Sequence, residues 1–179
     1  MKRKWKLWKI AFVVFVMTDI MMQSNRAEAK KRTFTVSSKT IPCSSSYRQK
    51  PYYNKKTKQY YMINSYMRRL STTGGTLKLK KGTYKIPGTI YVPSNVKIVC
   101  ANGVKIKKTK ATGTKKVKST KFLFQMISEE KASGKQNTGK YAASKNASIQ
   151  GNGKVIFDMG NVNGATAVFV GHASGITVS

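Results

Sequence analysis

The clearest structural signal in the sequence is Ser94-Asn95-Val96-Lys97-Ile98, which is followed shortly by Asn102-Gly103-Val104-Lys105-Ile106. A similar pair, Lys145-Asn146-Ala147-Ser148-Ile149 and Asn152-Gly153-Lys154-Val155-Ile156, occurs further along, and the two copies lie 51 residues apart. Gly175-Ile176-Thr177-Val178-Ser179 looks like the opening of a third copy. Short strands and Asn-Gly turns that recur at a fixed period are typical of a solenoid, whose repeats stack on one another.

The sequence ahead of this repeat changes its period at Gly74-Gly75. Before these glycines, apolar side chains recur with the spacing of one helix face: Ile63, Tyr66, Met67 and Leu70. After them, leucines alternate with lysines over 77–80, which predicts a strand with leucines inward and lysines outward. The predicted helix would cover one end of the stack, whose strand edges would otherwise be exposed.

Short β-branched runs, separated by Gly, Pro or Asn, predict strands through the rest of the chain. They occupy 84–86, 90–92, 96–100, 104–106, 122–127, 155–157, 167–170 and 176–178. Two stretches rich in Lys, Gly, Ser and Thr, 107–121 and 128–145, are interpreted as loops. The predicted fold class is therefore all-β with a short N-terminal capping α-helix.

The N-terminus has the layout of a secretory signal peptide. Basic residues are concentrated in the first nine positions, 10–17 are apolar, and Ala27-Glu28-Ala29 supplies a small-x-small cleavage site. The apolar run ends well short of the roughly 20 residues that span a bilayer, so no permanent membrane span is expected. The predicted organisation has three parts: a signal peptide (1–29), an extended basic arm or edge strand (30–58), and the capping helix with the first rungs of the stack (59–179).

Positive charge dominates the composition. The chain has 35 Lys and Arg against five Asp and Glu, a formal charge of +30. Beyond residue 29 there are 29 basic residues and three acids, Glu129, Glu130 and Asp158, which give +26. Such an excess repels itself and is relieved by a polyanion, for which pectin, wall teichoic acid, anionic lipid and nucleic acid all qualify. Most of the cations are lysines, so the attraction is diffuse, and a merely solvated lysine surface is the alternative.

The chain has two cysteines, Cys43 and Cys100. They fit no metal-binding spacing and no redox motif. Outside the cell they would either form a disulfide or stay unpaired, and the sequence leaves both outcomes open.

Several motifs follow the helix in a fixed order: Gly74-Gly75-Thr76, Lys81-Gly82-Thr83-Tyr84, Val92-Pro93-Ser94-Asn95-Val96, Ile149-Gln150-Gly151-Asn152-Gly153 and Ile176-Thr177-Val178-Ser179. In this order they resemble the N-terminal rungs of the pectate lyase superfamily, in the branch of polygalacturonase-like secreted proteins, over about 59–179. The resemblance implies a right-handed parallel β-helix, incomplete and of few rungs. It also implies a secreted or cell-wall-associated protein that cleaves or binds pectin-like anionic polysaccharide.

The resemblance implies either hydrolysis by paired aspartates or elimination by a basic residue, often with calcium. Hydrolysis needs two carboxyl groups flanking the bond, and calcium needs a cluster of oxygen ligands. Three acids supply neither set, so no cofactor is evident and calcium is implied by the resemblance alone. Adjacent Glu129 and Glu130 are interpreted as solvated charges in a loop.

Asp158 and His172 are the candidates for a catalytic role. Asp158 lies near the position of an aspartate in the family's Gly-x-Gly-x-Ile-Asp turn. In this sequence, however, residues 155–157 stand between Lys154 and the acid. It is interpreted as a structural aspartate that accepts backbone donors in a turn. His172 has no identifiable partner and is interpreted as structural or solvated.

Two functions are consistent with these observations. The first is a truncated member of a pectin-degrading family, with its catalytic groups on rungs that would follow Ser179. The second is a noncatalytic module whose outward lysines bind an anionic wall polymer: Lys78, Lys80, Lys97, Lys105 and Lys107. Nucleic-acid binding is not expected, because none of its motifs and no stacking platform can be placed. Because the strand pattern stops at Ser179, we also expect the last rung to expose unpaired edge groups and to self-associate.

Overall fold

The computed structural model describes residues 31–134, 143–160 and 162–179, so the predicted signal peptide lies outside the described residues. The strands are β1 (Arg32–Val36), β2 (Gly75–Leu79), β3 (Gly82–Ile86), β4 (Ile90–Tyr91), β5 (Val96–Cys100), β6 (Val104–Lys108), β7 (Phe122–Gln125), β8 (Ser148–Gly151), β9 (Val155–Asp158), β10 (Thr166–Phe169) and β11 (Thr177–Val178). The helices are α1 (Ser45–Arg48), α2 (Lys58–Leu70) and α3 (Glu129–Ser133). Within the three described ranges, no helix is long and apolar enough to cross a bilayer.

The strands form three sheets in which neighbouring strands pair in parallel. Sheet A has the order β1-β2-β5-β8-β11, sheet B the order β3-β6-β9, and sheet C the order β4-β7-β10. From β2 onward the chain passes through sheets A, B and C three times and then returns to sheet A with β11. One such passage is called a level. The predicted all-β class, with parallel strands and few helices, is confirmed.

A ladder of left-handed residues marks the corner at which the chain enters sheet A. Gly74, Asn95, Asn146 and Gly175 have φ angles of 65°, 59°, 53° and 61°, and the strand register places them at successive levels. Backbone hydrogen bonds cross the corner, from Asn95 N–H to Lys145 O at 2.9 Å and from Asn146 N–H to Ser174 O at 3.0 Å. Glycine and asparagine adopt this conformation at the lowest cost, which explains their place in the repeat.

The core is built from inward side chains that stack in register between levels. The rows are Leu77-Ile98-Ile149 in sheet A, Tyr84-Ile106-Phe157 in sheet B and Ile90-Phe124-Val168 in sheet C. Ile98 and Ile106 are fully buried. Helix α2 adds Met62, Ile63, Met67 and Leu70 to the same core, so its predicted apolar face is confirmed. Burial of each such side chain stabilises the fold by roughly 1.5–3 kcal/mol.

The repeat in the structure differs from the repeat inferred from the sequence, both in its period and in its register. Leu77 pairs with Ile98, Ile98 with Ile149, and Ile149 with Val178, so successive levels are 21, 51 and 29 residues apart rather than at a fixed period. The offset of 51 also holds for β6 on β9, where Ile106 pairs with Phe157. Ile156, which the sequence comparison aligned with Ile106, instead pairs with Lys105 and is 41% exposed.

The segments predicted to be irregular contain regular structure. Within 30–58, interpreted as an extended arm or edge strand, β1 is an edge strand of sheet A, in agreement with the second alternative, and helix α1 buries Tyr47. The loop prediction for 107–121 is wrong at its start, because Lys107 and Lys108 belong to β6. The loop prediction for 128–145 is wrong over α3, whose N-cap Ser128 accepts a hydrogen bond from the backbone of Lys131.

Both cysteines are free thiols. Cys43 is exposed beside helix α2, where its Sγ donates to Ser65 O. Cys100 is buried in the core, and burial raises the pKa of its thiol to about 11. Of the two outcomes left open by the sequence, the structure has the unpaired one.

The corner ladder predicts opposite effects of two substitutions at Asn95, an exposed residue with φ 59°. N95A should lower the free energy of unfolding by about 1 kcal/mol, because alanine is disfavoured in the left-handed region. N95G should change it much less, because glycine adopts this conformation readily. Urea denaturation followed by circular dichroism measures both variants. Equal destabilisation by alanine and glycine would contradict the assignment of a conformational role to this corner.

Candidate functional site

A cleft of about 800 Å³ opens beside sheet B. It is lined by Lys55, Lys56, Lys85, Lys107, Thr109, Lys110, Ala111, Gly160 and Asn163. The five lysines among these residues define what we call the lysine cleft. Like charges lining a concave surface reinforce one another's potential, so the cleft attracts anions more strongly than scattered surface lysines do.

The register of sheet B places two of the cleft lysines side by side. Lys85 on β3 pairs with Lys107 on β6. Tyr84 and Ile86 point inward, so the alternation of the strand turns Lys85 outward. Lys107 follows the buried Ile106 and points the same way. Because neighbouring strands are about 4.8 Å apart, the two lysine side chains lie at adjacent positions of one surface row.

The other three cleft lysines come from two irregular segments that Asn54 holds together. Lys55 and Lys56 precede helix α2, and Lys110 follows β6. The Nδ2 group of Asn54 donates to Thr112 O at 3.0 Å, and Thr112 belongs to the segment that carries Lys110. Its Oδ1 accepts from the backbone N–H of Lys56 at 2.8 Å. One side chain therefore ties both walls of the cleft to each other.

Lys108 anchors the wall that begins at Thr109. Its side chain is fully buried, and its ammonium group donates to Gly88 O, to Phe122 O at 2.7 Å and to Thr120 Oγ1 at 3.1 Å. An ammonium group has three donors, so all of them are satisfied. Burial lowers the pKa of Lys108 to about 7, because the charged form loses its hydration.

Asp158 lies at the edge of the lysine cleft. It ends β9, pairs with Lys107 in the sheet, and places Oδ2 3.0 Å from Lys105 Nζ and 4.0 Å from Lys107 Nζ. A backbone donor also contacts it, since the N–H of Gly160, a cleft residue, donates to Oδ1 at 3.2 Å. The hydrogen bonds from Lys105 and Gly160 hold the pKa of Asp158 below its ordinary value.

The lysines named from the sequence are distributed over two sheets. Lys78 and Lys97 are exposed on the outer face of sheet A, and Lys80 follows β2. Lys105 pairs with Asp158, and of the five only Lys107 lines the cleft. His172 is exposed in the turn after β10, with a φ angle of 52°. The structure therefore does not bring the predicted site residues together into one site.

Sequence reasoning missed four of the five cleft lysines: Lys55, Lys56, Lys85 and Lys110. The signal for Lys85 was present, because it lies between Tyr84 and Ile86 in an alternating strand. Lys110, Lys55 and Lys56 lie in segments without a hydrophobic period, so no alternation of apolar and charged residues could distinguish them from other lysines.

The two glutamates contact the helices and not the cleft. Glu129 accepts a hydrogen bond from the hydroxyl of Tyr47, and burial together with this bond raises the pKa of Tyr47. Glu130 lies 3.5 Å from Arg68 Nε on α2. The loop position expected for these residues is wrong, because both begin helix α3, but Glu130 is exposed, as expected of a solvated charge. Over the part of the chain that is described, no group of three or more His, Cys, Asp or Glu side chains could hold a metal ion.

Comparison with protein-family models, with curated proteins and with solved structures found no match to this chain. The chemistry of the cleft is therefore the basis on which a function can be inferred. Its lysines are strong donors of charge-assisted hydrogen bonds to carboxylate and phosphate oxygens. The cleft can bind an anion by charge and by directed hydrogen bonds.

The buried Lys108 predicts a pH-dependent stability. Its pKa is about 7 in the folded chain and 10.5 when exposed, so between these values the unfolded chain binds more protons. The free energy of unfolding should therefore rise between pH 7 and pH 9, by up to about 2 kcal/mol. Urea denaturation at both pH values measures this rise, and the K108M variant should lack it. The same rise in K108M would show that other groups cause it.

Proposed function

We propose that this protein is a secreted β-helix protein that binds anionic polysaccharide in the lysine cleft. The described residues would be the first rungs of a right-handed parallel β-helix of the pectate lyase type. The repeated passage through three parallel sheets supports this fold, as does the motif order of the sequence. Right-handedness is the expected hand, because crossovers between parallel strands of one sheet are right-handed in about 98% of cases.

The observation that carries the binding function is the arrangement of the cleft lysines. Lys85 and Lys107 lie in register on neighbouring strands, and Lys55, Lys56 and Lys110 face the same space. Each uronate unit of a pectin-like polymer carries one carboxylate, which suits a lysine as a compact cationic partner. The exposed lysines outside the cleft would add long-range attraction that salt screens.

We propose binding rather than cleavage for this chain because of how the three acids beyond residue 29 are engaged. Hydrolysis of a glycosidic bond requires two carboxyl groups that flank it. Asp158 is paired with lysines, whereas Glu129 and Glu130 contact Tyr47 and Arg68. A pectin-degrading role would require a second carboxylate within reach of Asp158.

The test compares two double variants that remove the same charge. K85Q/K107Q removes the paired lysines of the cleft, and K78Q/K97Q removes two exposed lysines of sheet A. At low salt, K85Q/K107Q should weaken binding of a fluorescent oligogalacturonide roughly tenfold, since each ion pair contributes up to about 1 kcal/mol. K78Q/K97Q should weaken it by much less, and added salt should weaken binding by the wild type. Fluorescence anisotropy measures all three proteins.

Equal losses in the two double variants would mean that binding depends on total charge and not on the cleft. Absence of binding by the wild type at low salt would contradict the proposed function as a whole. Binding of a polyphosphate but not of polygalacturonate would contradict the assignment to a carboxylate polymer.

A further inference from the structure

One outward row of sheet B carries charges of both signs. Lys85, Lys107 and Asp158 occupy the same position on three successive strands, β3, β6 and β9. The first two levels of this row are therefore positive and the third is negative. An anionic chain that follows the row meets two lysines and then a carboxylate.

The carboxylate of Asp158 is held in place from both sides. Its Oδ2 lies 3.0 Å from Lys105 Nζ and 4.0 Å from Lys107 Nζ, and its Oδ1 accepts the N–H of Gly160. The side chain is 22% exposed, whereas the side chains of Lys105 and Lys107 are 41% and 36% exposed. Lys107 and Gly160 both line the cleft. A carboxylate that belongs to the protein thus already occupies the place beside Lys107 that a ligand carboxylate would take.

We propose that Asp158 is a built-in competitor of the ligand and determines how much anionic charge the lysine cleft accepts. This inference rests on the proposed function, because it assigns to Asp158 a role at the same cleft. By pairing with Lys105 and Lys107, Asp158 weakens binding of any anion at the third level of the row. The cleft therefore favours a short run of singly charged carboxylates over a longer or more densely charged anion, which Asp158 repels.

The variant D158N tests this role, with E130Q as a control of equal charge. Both changes raise the net charge by one, but Glu130 contacts Arg68 on α2 and does not line the cleft. Asparagine keeps the size of the side chain and an oxygen that can accept from Gly160 N–H. D158N should bind polygalacturonate about two- to fivefold more tightly at low salt, as expected for the release of exposed ion pairs. The gain should be larger for long oligogalacturonides than for digalacturonate. E130Q should leave affinity nearly unchanged.

A second comparison asks whether Asp158 acts through its lysine partners. In a K105Q/K107Q background, D158N should tighten binding by less than in the wild type, because it then relieves only the repulsion between Asp158 and the ligand and releases no amine. Unchanged or weaker binding by D158N in the wild-type background would overturn the inference. An equal gain from E130Q would overturn it too, because the effect would then be one of net charge.

A measurement on the wild type keeps the inference testable if D158N does not fold. The carboxyl carbon resonance of Asp158 reports its protonation in a pH titration by NMR. Saturation with oligogalacturonide should raise the pKa of Asp158 towards its ordinary value, because the ligand draws Lys105 and Lys107 away from it. An unchanged pKa at saturation would contradict the competition. Failure of the proposed function is distinguishable, because K85Q/K107Q would then weaken binding no more than K78Q/K97Q does.

Discussion

The strand register is the constraint on which the rest of the structure depends. Side chains alternate with a period of two, so a slip of one residue turns the outward lysines of a strand inward. The left-handed corner, with Asn95 stacked on Asn146, fixes the register before each strand of sheet A from β2 onward begins. Stacked levels then repeat the same orientation, which keeps apolar rows inside and lysine rows outside. Because of this arrangement, a chain with so large a positive charge can keep an apolar core, and its charge is concentrated in rows on the surface.

Much of the fold could be predicted from the sequence, because its signals are local. Alternating leucines and lysines predicted β2, the helical spacing of apolar residues predicted α2, and the corner asparagines revealed the repeat. The register between levels could not be predicted from sequence similarity. The turns after β5 and after β8 have the same length, but the Asn-Gly pair of the second turn, Asn152-Gly153, lies one position earlier than Asn102-Gly103 does in the first. The period was also misleading, since loops of different length separate levels that are structurally equivalent.

The candidate site was less predictable than the fold. Lys107 was named from the sequence and Lys85 lay in an alternating strand, but only the pairing of β3 with β6 makes them neighbours. The cleft walls that carry the other three lysines depend on a hydrogen bond from Asn54 to the backbone of Thr112, 58 positions away. Lys108 was assigned to a loop because it lies in a stretch that is rich in Lys, Gly, Ser and Thr and has no period, and only its three acceptors explain why it points inward. The pairing of Asp158 with Lys105 could not be predicted either, because it depends on β9 of the third level lying beside β6.

The register of β6 on β9 tests this account most directly, because it places Asp158 on the same face as the cleft lysines. NMR measurement of short proton-proton distances between the two strands determines the register. The parallel pairing of β6 with β9 requires backbone contacts that set Lys107 beside Asp158 and Ile106 beside Phe157, an offset of 51 residues. Contacts that set Lys107 beside Phe157 and Ile106 beside Ile156, an offset of 50, would contradict it. Asp158 would then point away from the lysine row.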